Sequence, residues 1–295
     1  MSRVGDDGVC GYVMGGLGNQ LFILAAAWEQ SNRLECPLYL DVSHFSVQGT
    51  HRLGLQAIDH PGRVLTPSES SWRALRLNAE RVLPVPKRPW GRTFFERDGD
   101  AYQSTIDAIR PGTTLFGYFQ SPKYFEGIES DILSRMLAVD ESTRETEIIG
   151  ELARRDVITL HLRRGDYLDV SPDRQFVATV AYAQRAIRQL RSQGVDLPVR
   201  VFSDSVDLVK TELSGSDGEF EFVEDGVLGT WATLKAMALG KAMIMSNSSF
   251  SWWAAALMQH QGGRDVPVVA PRPWTQTGTA KSDLLKPEWI ALDAR

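Results

Sequence analysis

Two adjacent arginines, Arg163 and Arg164, stand near the end of the run VITLHLRRGDY at positions 157–167. The residues before them alternate between apolar and β-favouring types and read as a short buried strand. His161, both arginines and Asp166 then fall at its C-terminal end, where open α/β sheets hold their ligands. A guanidinium grips phosphate oxygens with a planar fork and keeps its charge at any working pH. Gly165 lets the backbone turn, and Asp166 can hold one arginine in place. An isolated RRGD is about as often a surface loop with an internal ion pair, so the rest of the chain must supply further support. The Arg164-Gly165-Asp166 tripeptide directly follows a strand and is not read as an adhesion motif.

Further strand ends carry polar groups as well. Residues 199–202 form a strand pattern ending in Ser203-Asp204-Ser205, and 242–245 form another ending in Ser246-Asn247-Ser248-Ser249-Phe250. The second of these leads into a helix opening at Ser251-Trp252-Trp253. Its N-terminal N–H groups and neighbouring hydroxyls make an anion cradle, although N-capping accounts for one of the serines. Both tryptophans read as core anchors. In a parallel sheet these ends meet at one edge, which suits a phosphate carrying a sugar or base.

The elements that position these groups alternate along the chain. Strand 9–14, the glycine loop 15–20 and an Ala- and Leu-rich helix at 21–34 open a first βα unit. Gly16 and Gly18 let a ligand approach backbone N–H groups at the helix start. Asn19 and Gln20 suit a cap or a polyol ligand. The third glycine of a dinucleotide fingerprint is absent, as is the Lys-Ser/Thr of a P-loop. Strand 38–41 follows, then an irregular stretch over 43–112 with a helix pattern at 72–82. An aromatic segment at 114–125 and helices at 128–137 and 142–155 complete the first half. The alternation restarts at 157 with a helix at 177–191, strands at 199–202 and 220–223, and a helix at 230–239.

A chain of 295 residues with 43% hydrophobic and 23% charged residues is an ordinary globular protein of one large or two average domains. Its net charge of −5 opposes nonspecific nucleic-acid binding, so any anion site is a local focus of arginines. Cys10 and Cys36 form neither a metal spacing nor a disulfide framework, which fits reduced thiols and a cytoplasmic location. The apolar run at 21–28 is too short to span a bilayer, and no secretory signal pattern opens the chain.

The ordered set GGLGNQLF (15–22), GYFQSPKYF (117–125), HLRRGDY (161–167), FSDS (202–205), SNSSFSWWAA (246–255), APRPW (270–274) and KPEWI (286–290) resembles the bacterial α1,2-fucosyltransferases. The resemblance implies the GT-B glycosyltransferase architecture, an α/β fold of two Rossmann-like domains facing a central cleft. Residues 1–155 would form the acceptor-side domain and 156–295 the domain that holds GDP-fucose. It implies inverting transfer of L-fucose to the 2-hydroxyl of a terminal galactoside, on an oligosaccharide or on a lipid-linked glycan that would bring the protein to a membrane surface. By the same resemblance Arg163 would take the donor β-phosphate, with Arg164 beside it. His161 and Asp204 would lie near the nucleoside, Asn247, Ser248, Ser249 and Phe250 near the diphosphate and base, and Asn19 would face the cleft. Two positions depart from the family pattern, Ser205 and Thr233, each standing where an acid is usual.

The chemistry fits the resemblance. Negative charge grows on the leaving phosphate, where a preorganised guanidinium stabilises most. No metal or other cofactor is expected. Two alternatives remain: the same scaffold using another nucleotide sugar, and a noncatalytic nucleotide-sugar-binding protein. A dinucleotide oxidoreductase is disfavoured by the missing fingerprint.

Overall fold

A computed structural model describes residues 7–46, 51–71, 92–97, 101–164, 178–216, 218–274 and 283–294. The chain divides into two units, Met1–Ala138 and Val139–Arg295. This division falls before the expected boundary at 155/156, so the helix near 142–155 belongs to the second unit.

The first unit holds strands β1 (Val9–Tyr12), β2 (Leu38–Asp41), β3 (Arg63–Val64), β4 (Thr93–Phe95) and β5 (Thr114–Phe116), and helices α1 (Leu17–Arg33) and α2 (Glu129–Leu137). The strands form one parallel sheet in the order β3-β2-β1-β5-β4. Parallel strands covered on both faces need near-continuous apolar residues, and β2 is buried throughout. Helix α1 is apolar on almost every side, from Leu21 to Ala27 without interruption, because it too is enclosed. It starts four residues before the expected 21, capped at Gly16 by backbone alone. Gly18, Asn19 and Gln20 therefore lie within its first turns.

That early start has a cause. Gln20 is fully buried and donates to the carbonyls of Gly15 and Arg52 at 2.8 Å each, while its carbonyl accepts the N–H of Gly54 at 2.8 Å. It thus ties the glycine loop to the next loop. Gly15 itself has φ +76°, and a Cβ there would meet Asn19 Nδ2 at 2.9 Å.

The second unit holds β6 (Ile158–His161), β7 (Val199–Phe202), β8 (Phe220–Phe222), β9 (Ala242–Ile244), β10 (Val268–Arg272) and β11 (Ile290–Asp293). Its helices are α3 (Thr143–Leu152), α4 (Val180–Ser192), α5 (Val206–Leu213), α6 (Thr230–Met237) and α7 (Ser249–Gly262). All strands are parallel, in the order β11-β10-β9-β6-β7-β8. Counted from β6, this is the 3-2-1-4-5-6 order of the doubly wound fold. The order reverses between β6 and β9, which fixes where a ligand crevice opens. Side chains alternate across the sheet. Ile158 and Leu160 enter the apolar cluster with Tyr182, Ala186 and Leu190 of α4. Thr159 and His161 point to the opposite face, where the Thr159 hydroxyl donates to the Met237 carbonyl of α6 at 2.9 Å.

Replacing Gln20 by leucine removes the side-chain partner of the Gly54 N–H and of the Gly15 and Arg52 carbonyls. We expect a loss of about 2–3 kcal/mol, read as a lower urea midpoint at unchanged m-value.

Candidate active site

Three strand ends in the second unit converge on a cavity of about 320 Å³. His161 and Arg163 come from the end of β6, Asp204 from β7, Glu224 and Asp225 from β8, and Phe250 from the first turn of α7. Thr230 and Thr233 of α6 also line it. Residues of two helix N-terminal turns therefore line the space, and the positive end of a helix dipole favours an anion. The wall at 223–230 was not singled out from sequence, although Glu224-Asp225 after a strand pattern is the same polar-end signal.

The pair of arginines does not act as a joint fork. Adjacent residues leaving a strand point to opposite sides. The Arg164 side chain is 5% exposed, turned away and held by Glu212, with Nε and the second guanidinium nitrogen each 2.9 Å from Oε2. Its remaining nitrogen donates to the carbonyls of Arg163 at 3.1 Å and Ala178 at 3.0 Å. Arg164, expected with Arg163 among the catalytic residues, is held in this structure by protein partners, and the cavity lining includes Arg163 but not Arg164. Arg163 lines the cavity, 28% exposed, with Nε 3.6 Å from Asp204 Oδ2. The other oxygen of Asp204 accepts the Arg164 backbone N–H at 2.7 Å, so this carboxylate clasps the end of β6 to the end of β7.

His161 is buried, and its Nδ1 contacts the hydroxyls of Ser246, at 3.0 Å, and Ser251. Burial pushes its pKa down to about 4, with Asp204 opposing and Arg163 adding to the shift. The imidazole is neutral at neutral pH. The end of β9 is pinned just before Ser246, because the buried Tyr182 hydroxyl donates to the Met245 carbonyl at 3.0 Å and to that of Val269 at 3.2 Å.

Ser248 is the N-cap of α7 and accepts the Phe250 N–H at 3.3 Å. Ser249 is half-buried in the first turn, and the Asn247 side chain accepts the Ala178 N–H at 3.4 Å. Trp252 and Trp253 are fully buried, as expected of anchors. Helix α3 supports the far wall: Glu145 closes a capping box with Ser142 and also accepts the Gly229 N–H at 2.8 Å, just before α6. Asp166 lies outside the described residues.

In the first unit the ends of β1 and β5 flank that sheet's own order reversal. There the Asn19 carbonyl accepts a hydrogen bond from Gln120 Nε2 at 2.8 Å, beside the exposed Tyr118. Gly16 and Gly18 begin α1 at the same edge. Among the described residues no cluster of His, Cys, Asp or Glu could hold a metal, and no helix is long and apolar enough to cross a membrane.

A doubly wound parallel sheet with an arginine, a neutral histidine and two helix N-termini at its order reversal has the chemistry to receive an anion. The match of residues 111–293 to the model of Glycosyl transferase family 11 makes the chain a member of that family. It is 25% identical to an alpha-1,2-colitosyltransferase of Escherichia coli over 95% of this chain and 97% of that protein. It is 26% identical to human galactoside alpha-(1,2)-fucosyltransferase 1 over 64% of this chain and 54% of that protein. Its coordinates are also similar to those of the NodZ alpha-1,6-fucosyltransferase soaked with GDP-fucose, at 14% identity and a TM-score of 0.47, covering 85% of this chain and 92% of that one.

The two arginines should separate in their effects. Arg164→Met leaves Glu212 and two carbonyls without their donor and should cost about 2–4 kcal/mol in urea unfolding, below the full cost of a buried pair because Glu212 keeps some solvent. Arg163→Met should cost less than Arg164→Met, since Arg163 is 28% exposed and its ion pair with Asp204 is long.

Proposed function

We propose that the protein transfers L-fucose from GDP-fucose to the 2-hydroxyl of a terminal galactoside, with inversion at the sugar carbon. The observation that carries this reading is Arg163 in the second-unit cavity of a chain that belongs to glycosyltransferase family 11. Both relatives named above act at a 2-position by their names. In the reaction the bond between fucose C1 and the β-phosphate oxygen breaks, and the galactose oxygen bonds to C1. GDP leaves with the electron pair, and the hydroxyl proton is lost to a base or to solvent. Arg163 stabilises the charge that grows on the leaving phosphate, a role in which fixed donors act most strongly.

The nucleotide belongs to the second unit, at His161, Arg163, Asp204 and the 247–250 segment. The acceptor belongs to the first, at Gly16, Gly18 and Asn19. The acceptor is a galactoside-ended oligosaccharide or a lipid-linked glycan, and in the second case the enzyme works at a cytoplasmic membrane surface. The guanidinium and the helix N-termini supply the positive charge, so we expect no metal requirement.

A second reading is favoured by the E. coli relative, which spans almost the whole of both chains: the donor sugar is colitose, which is fucose without its 3-hydroxyl. A site that hydrogen-bonds that hydroxyl discriminates strongly against the sugar lacking it. Initial rates with GDP-fucose and GDP-colitose over a panel of β-galactosides, with EDTA present, test the whole reading. We expect turnover in EDTA with fucose preferred, and a fall of about 10²–10³-fold or more in kcat for Arg163→Ala, barely relieved in Arg163→Lys. No transfer from either donor, or activity lost to EDTA and restored by Mg²⁺, would overturn it.

A further inference from the structure

The hydroxyls of Ser246 and Ser251 and the Nδ1 atom of His161 form a closed triangle in the second unit. Ser246 Oγ lies 3.0 Å from Nδ1 and 3.1 Å from Ser251 Oγ, and Ser251 Oγ makes the shortest contact to Nδ1. All three residues are buried, the serines at 1% and 0% exposure. Neither hydroxyl has another hydrogen-bond partner among the described residues.

Proton accounting decides the tautomer. If Nδ1 carried a proton, three hydrogens would point into a triangle with only two accepting atoms. One buried hydroxyl hydrogen would then be left without an acceptor, which costs about 1–3 kcal/mol. If Nδ1 is bare, two hydrogens serve it: one serine donates to the other, and that one donates to Nδ1. Every hydrogen is then used. The order of the two serines is interchangeable, because each lies within reach of the nitrogen.

We infer that Ser246 and Ser251 are positioning residues that lock His161 as the Nε2–H tautomer, so that the histidine offers the cavity a neutral hydrogen-bond donor. With Nδ1 taken, Nε2 is the ring nitrogen left for the cavity that His161 lines. It has no partner among the described residues. The ring sits beside Arg163 and Asp204, and its low pKa keeps it neutral there. A neutral donor next to a guanidinium suits an oxygen acceptor, such as a phosphate or ribose oxygen. It does not suit a hydroxyl whose proton must be removed, so the geometry assigns His161 to binding and not to general-base chemistry.

The ligand half of this inference rests on the nucleotide reading above, whereas the tautomer half does not. The experiment separates them. Two-dimensional ¹⁵N–¹H spectra of the unliganded protein, labelled at histidine, report which ring nitrogen of His161 carries the proton. We expect a protonated Nε2 and a bare Nδ1 in the wild type, in Ser246→Ala and in Ser251→Ala, since either serine alone still donates. In the double variant an Nδ1–H fraction should appear. Titration with GDP should then show each single variant within about twofold of wild type and the double variant about tenfold weaker, a non-additive pair.

A wild-type spectrum with a protonated Nδ1 overturns the inference, and this needs no variant to fold. A double variant that folds and keeps the wild-type spectrum overturns the role of the serines. An Nε2–H spectrum in a protein that does not bind GDP leaves the tautomer standing and rejects the nucleotide reading instead.

Discussion

The clasp of Asp204 on the end of β6 is the contact on which the second unit's crevice depends. One oxygen of this carboxylate takes the backbone N–H of Arg164 and the other faces the guanidinium of Arg163. Once that N–H is fixed, strand alternation forces the two arginine side chains apart. Arg164 is drawn into the protein by Glu212 and by two carbonyls. Arg163 is left on the cavity side, beside Asp204. A single cation is thereby aimed into the cavity, with a second buried behind it as support.

The remaining polar groups of the cavity are of both kinds. The cavity is lined by the neutral His161 and by residues of the N-terminal turns of α6 and α7, which offer hydrogen-bond donors. It is also lined by the carboxylates of Asp204, of Glu224, paired with Lys210 at 2.6 Å, and of the exposed Asp225. The space therefore offers both groups that attract an anion and groups that accept hydrogen bonds. A nucleoside diphosphate matches both, with oxygens at one end and N–H and O–H donors at the other. The strand order makes the arrangement possible, because crossover helices leave a sheet on opposite faces only where the order reverses.

Much of this was legible in the sequence, for a physical reason. Buried parallel strands demand apolar runs, so a polar cluster just after one, as at 161–164, 203–205 and 246–250, marks a strand's exposed end. What sequence could not supply was direction. Arg163 and Arg164 are the same residue type one position apart, and only the clasp and Glu212 decide which faces the cavity. The start of α1 at Leu17 was hidden because a glycine-rich stretch looks like a loop. Gln20, bonded to loops more than thirty residues away, makes it helical. Helix α3 joins the second unit through long-range contacts with α6 and its approach, among them Glu145 on the Gly229 N–H and Lys235 on Glu141, which no local pattern encodes. The polar wall at 224–225 follows so short a strand that its signal was faint.

The central claim is that a nucleoside diphosphate is held at the order reversal of the second unit with Arg163 on its phosphates. A crystal structure of the protein with GDP tests it most directly. The account predicts phosphate oxygens within hydrogen-bond distance of the Arg163 guanidinium, the nucleoside between Phe250 and the 223–230 wall, and Arg164 unmoved against Glu212. A diphosphate seated on the Gly15–Gly18 turn of the first unit, or gripped by Arg164, would contradict it.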